Sequence, residues 1–123
     1  MQRTIRAFLA FEAATFAIAS SIHSGAFISG FQHAMAAQAE ALIALVLIGG
    51  LATTFLRPEW TRAAALLVQG FAVLGTFVGL ATIAAGFGPR TVPDVAYHVA
   101  IVLVLLSGLT LAWRTQTHAG SAA

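Results

Sequence analysis

Four apolar stretches, each long enough to cross a hydrocarbon core about 30 Å thick, take up nearly the whole chain. They run over residues 5–28, 34–56, 60–87 and 95–113. Only short loops and a tail from Arg114 to Ala123 lie outside them, so nothing remains for a soluble domain. Lipid offers no partner to backbone N–H and C=O groups, so a spanning stretch of this length must be helical. Short loops make successive helices antiparallel. The expectation is an all-α integral membrane protein: a single four-span domain over residues 1–123, four transmembrane helices in an up-down-up-down bundle. A mean hydropathy of +0.91 agrees. The first stretch is too long for a signal-peptide core of roughly 7–15 residues and contains Glu12, so it reads as a span.

The charges that do occur are informative by position. Arg3 and Arg6 precede the first span, Arg57 and Arg62 flank the second loop, and Arg114 follows the fourth span. All fall on one side, whereas the other carries Arg90 alone. The positive-inside rule then puts the N- and C-termini in the cytoplasm, and Trp60 and Trp113 land at that same interface. The sequence pI is near 10.6. Its source is six arginines spread over helix ends, with no basic patch, so a lipid bilayer and not nucleic acid is the expected partner. The chain has no cysteine, which excludes disulfides, thiolate metal sites and thiol redox chemistry. Arginine without lysine, beside abundant Ala and Gly, suggests a GC-rich bacterial genome, hence a multi-pass protein of the bacterial inner membrane.

Two turns carry signals. Arg57-Pro58-Glu59 reads as a helix start. In the segment 86–94, Gly and Pro end the third helix, and Thr91 with Asp94 three residues on resembles a capping box. A first outer turn is expected near residues 29–31. In the third span, Gly75 and Gly79 form a GxxxG pair that admits a close neighbour. That neighbour is another helix of the same bundle, a second copy or larger membrane complex, or a planar ligand.

Ionisable residues inside spans are rare and by default mark functional sites. Glu12, His23, Glu40 and His98 are such residues. At 1.5 Å per helical residue, His23 lies roughly 7–8 Å below the outer end, Glu40 roughly 10–12 Å and His98 roughly 6 Å. Three helices thus bring His23, Glu40 and His98 to similar depth, with His33 at the rim and Asp94 one turn above His98. Two histidines and a carboxylate can bind a transition metal, with Asp94 or His33 completing the shell or orienting a ring. His23 and His98 can alternatively serve as the axial ligands of a haem b. No HxxxH or HExxH motif lies on one helix, so the grouping depends on packing. The plainer reading has Asp94 as a helix cap, His33 as a loop histidine, His23 paired with a nearby serine and His98 with a tyrosine or carbonyl. Glu40 resists it, because a carboxylate that deep needs a partner. Glu12 lies too far toward the cytoplasm to touch the cluster and matches Gln69 in depth. His118 falls in the tail.

In size and span count the chain resembles small multidrug transporters and DoxX-like proteins. A single first-span glutamate, here Glu12, is a feature of the former, although the surrounding residues depart from that family's pattern. That resemblance implies a proton-coupled transporter with Glu12 as its titrating group. The residues themselves favour a small protein binding a metal or haem near the periplasmic face. A third expectation is an accessory or assembly subunit of a larger complex, which the glycines of the third span and the small extramembrane mass suggest. No nucleophile with a partnered base and no phosphate loop is visible, which argues against an enzyme.

Overall fold

The computed structural model describes residues 1–115. Four α-helices follow one another: α1 (Gln2–His23), α2 (Ala34–Leu56), α3 (Thr61–Ala85) and α4 (Val92–Arg114), with a 3-10 turn at Pro58–Trp60. All four are long and apolar enough to cross a membrane. Each helix packs on the next and α1 also packs on α4, which closes the bundle. The architecture is that of a multi-pass membrane protein. The end carrying Gln2 and Arg114 is called proximal below, and the opposite end distal.

The first span stops sooner than expected, at His23 instead of residue 28. Gly25 has φ +81°, and the amides of Gly25 and Ala26 turn back to Ile22 O at 2.9 Å and Ser21 O at 3.0 Å. This paired closure around a left-handed glycine ends a helix whatever the hydropathy of the residues after it. The apolar run of Ala26, Phe27 and Ile28 hid it. Gly86 (φ +91°) closes α3 the same way, with Gly86 N to Ile83 O at 3.2 Å and Phe87 N to Thr82 O at 2.9 Å. α4 begins at Val92, three residues before the apolar run, because the Thr91–Asp94 capping box is formed and Pro93 sits in the first turn.

The core is small-residue and aliphatic. Leu9, Leu47 and Leu105 are wholly buried beside Ala65, Ala72 and Ala112. Large apolar side chains face outward instead: Leu67 is 76% and Leu74 69% exposed. That distribution suits lipid, in which apolar burial gains little and close packing of small residues holds helices together. A Cβ on Gly50 would meet Val68 Cγ2 at 2.6 Å, and one on Gly75 would meet Ile43 Cδ1 at 2.8 Å. These glycines set the spacing of α2 and α3. At the proximal end Arg6 Nε donates to Thr54 Oγ1 at 3.1 Å, and its guanidinium lies 4.4 Å from the centre of the Phe55 ring.

Candidate functional site

The early end of α1 makes His23 its last residue, at the distal end of the bundle. The chain then loops, and His33 N returns to donate to His23 O at 2.8 Å, so the start of α2 is tied to the end of α1. This places Glu40 against the ring. His23 Nδ1 is 2.7 Å from Glu40 Oε2, and His23 Nε2 is 3.0 Å from Asp94 Oδ1. All three residues are buried. An ionised carboxylate only accepts, so the three groups must share protons. Either His23 is an imidazolium between two carboxylates, or the ring is neutral and one carboxyl holds the proton. Both forms carry one net negative charge.

The two carboxyls differ in their donors. Asp94 Oδ2 accepts from Thr91 N at 3.1 Å and from the Thr91 hydroxyl, while Oδ1 faces His23. It also stands in the first turn of α4, where the positive end of the helix dipole favours an anion. Among the described residues Glu40 has His23 alone at Oε2, and its Oε1 is buried with no hydrogen-bond partner.

His98 Nδ1 lies 2.7 Å from Asp94 O. A carbonyl cannot donate, so Nδ1 carries the hydrogen and the Nε2 of a neutral ring is bare. Gly79 leaves room for that nitrogen, since a Cβ there would lie 3.1 Å from it. Tyr97 stacks edge-on to His98 (5.6 Å, 82°) and to Phe16 (6.2 Å, 81°). Its hydroxyl is buried.

Two hollows flank this cluster. A cavity of about 170 Å³ is bounded by Glu40, His98 and Thr76, with Phe16, Ile43 and Phe87 as apolar wall. A groove of about 350 Å³ between α1 and α4 is bounded by His23, Asp94 and Tyr97, with Ile18, Ile22 and Phe31 around them. The chain Glu40–His23–Asp94 therefore runs from one hollow to the other.

Of the five residues expected as metal ligands, His23, Glu40, Asp94 and His98 do gather, but their donor atoms do not converge. Among the described residues, no group of three or more His, Asp or Glu side chains is arranged to hold a metal ion. Both nitrogens of His23 are turned to carboxylates, so it and His98 do not offer a pair of free nitrogens to one ligand. His33 is the N-cap of α2: its Nδ1 accepts from Ala36 N at 3.2 Å and its Nε2 donates to Phe87 O at 3.1 Å. Sequence preference does not find this, because N-caps favour Ser, Thr, Asp and Asn. Glu40 Oε1 and His98 Nε2 remain, on the same cavity.

Glu12 belongs to a separate site. Gln69 Nε2 lies 2.9 Å from Glu12 Oε1 and 3.1 Å from Oε2, with both residues fully buried. Thr15 Oγ1 donates to backbone oxygens, Glu12 O at 2.8 Å and Phe11 O at 3.1 Å. Gly75 and Gly79 face Ile43 and His98 inside the bundle. His118 lies outside the described residues. Tyr97 was not singled out by the sequence. The chain's one tyrosine, near a span end, reads as an ordinary interfacial aromatic. Its position between Asp94 and His98 was the available signal. Comparison of the chain with protein-family models, curated proteins and solved structures gives no match.

Proposed function

We propose that this is a bacterial inner-membrane protein that binds a small molecule bearing a cationic or hydrogen-bond-donating head. The ligand's head meets Glu40 Oε1 and His98 Nε2, and its apolar body fills the cavity around them. The observation that carries this reading is Glu40 Oε1, a buried acceptor with no partner beside a cavity. Leaving such an atom unpaired costs about 1–3 kcal/mol, which an occupant offering a proton or positive charge recovers. The size of the cavity, about 170 Å³, is close to that of a dry protein cavity of about 150 Å³ that accepts benzene. Termini in the cytoplasm are supported by Arg3, Arg6, Arg57, Arg62 and Arg114 at the proximal end against Arg90 at the distal end. The cavity then opens toward the periplasmic side.

A second reading, a transition-metal ion, is favoured by one specific feature. His98 donates Nδ1–H to a backbone carbonyl, the arrangement that orients a ligating imidazole, and a carboxylate oxygen shares its cavity. Detergent-purified protein titrated calorimetrically with benzylammonium, phenol and Zn²⁺ separates the two. The organic reading expects benzylammonium to bind and Glu40→Gln to weaken it at least about tenfold, the order of one lost charged hydrogen bond. The metal reading expects Zn²⁺ to bind and both Glu40→Gln and His98→Ala to abolish it. Failure of all three probes to bind the unaltered protein overturns both readings.

A further inference from the structure

We propose that His23 is a proton switch that couples the Glu40 cavity to the groove between α1 and α4. This deepens the preceding reading and rests on it for the identity of the occupied cavity. The geometry points to the switch because one imidazole has a carboxyl on each nitrogen, at 2.7 Å and 3.0 Å. Glu40 lines one hollow, whereas His23 and Asp94 line the other. The ionisable groups around His23 are Glu40 from α2 and Asp94, Tyr97 and His98 from α4, with His33 at the rim. The polar side chains that α3 brings to the cavity are Thr76 and Thr82, neither of them ionisable.

The proton balance is closed within the cluster. In the resting arrangement of the switch, Asp94 is the carboxylate that accepts from Thr91 at Oδ2 and from His23 at Oδ1, and the shared proton sits between Glu40 and His23. A cation entering beside Glu40 makes the Glu40 anion the better arrangement. Glu40 then gives its proton to His23 Nδ1, and Nε2 passes its own to Asp94 Oδ1 or retains it as imidazolium. No proton leaves the protein. Charge is removed from the groove face or held on the ring there, so the α1–α4 surface changes its hydrogen bonding whenever the cavity fills.

Without His23 the same cation cannot be accommodated in this way. In His23→Phe, Glu40 loses the imidazole at Oε2, so a proton it holds has no neighbouring base to pass to and is shed to solvent when a cation binds. The experiment is a proton count for benzylammonium binding, from calorimetry in two buffers of different ionisation enthalpy at pH 7. The expected result is close to zero protons released by the unaltered protein and close to one by His23→Phe. Equal release by the two overturns the switch while leaving the binding reading intact. Absence of benzylammonium binding defeats the binding reading instead.

A ligand-free measurement decides the switch in that case as well. In ¹⁵N spectra of histidine-labelled protein, Glu40→Gln leaves Asp94 as the only base, so Nε2 of His23 carries the hydrogen and Nδ1 is bare. Asp94→Asn reverses this, putting the hydrogen on Nδ1 and leaving Nε2 bare. The same nitrogen bare in both variants rules out proton movement across the ring.

Discussion

Gly108→Ala is the sharpest probe of the Glu12–Gln69 site. A Cβ at Gly108 would stand 2.2 Å from Gln69 Nε2, 2.8 Å from Glu12 Oε1 and 3.0 Å from Phe8 Cδ1. The ends of Gln69 and Glu12 can move, but both residues are wholly buried, so any movement separates the pair without a replacement from water. Overpacking costs about 1–3 kcal/mol. The interhelical hydrogen bond is worth about 0.6 kcal/mol and up to about 1.7. Against this, alanine gains up to about 1 kcal/mol over glycine inside a helix. The net expectation is a loss of about 1–3 kcal/mol. Reversible unfolding in mixed micelles measures it, and a double-mutant cycle isolates the cause. In a Gln69→Ala background the nearest obstacle is gone and the Glu12 carboxyl can shift into the space it leaves, so the same change at Gly108 should cost at least about 1 kcal/mol less. Gly70→Ala is the control, because among the described residues no heavy atom beyond its chain neighbours and its own helix backbone lies within 4 Å of its added Cβ. Gly108→Ala as stable as Gly70→Ala, or a cost undiminished by Gln69→Ala, would refute this account of the packing.

Glu12→Gln should change stability by under about 1 kcal/mol, because glutamine keeps the neutral hydrogen-bonding shape of a protonated glutamate; thermal unfolding checks this, and a large loss would show that Glu12 is needed as an anion. Thr91→Val removes the hydroxyl half of the α4 capping box and leaves the Thr91 N–H to Asp94 half in place; it should cost about 1 kcal/mol, with Thr91→Ser restoring most of it in the same assay. Gly50→Ala should destabilise through the contact with Val68 Cγ2 at 2.6 Å and recover when Val68→Ala is added; additive losses would show that α2 and α3 are not held by that contact. Single cysteines at Gly30 and Thr91 should label from the periplasmic side, and labelling from the cytoplasm alone reverses the orientation.

Much of this protein is determined locally and is therefore readable in the chain. Four apolar runs dictate four helices, because lipid leaves a backbone no other way to satisfy itself. The Thr91–Asp94 cap is a contact between residues three apart, and the depth match of Glu12 with Gln69, or of His23 with Glu40 and His98, follows from helical rise alone. Depth does not say which atom meets which. That His23 spends both nitrogens on carboxylates, that Glu40 keeps one oxygen unpaired, and that His33 caps α2 depend on how helices rotate and where α1 stops. The stop is set by the left-handed Gly25, inside a run whose hydropathy continues unbroken. Helix rotation is set by glycines that admit Ile43, Val68 and His98 across helix interfaces. Tertiary packing alone turns a set of donors at matched depth into a carboxyl–imidazole–carboxyl chain between two hollows, because a shift of one helix face decides whether an imidazole nitrogen meets a ligand or a neighbouring carboxylate.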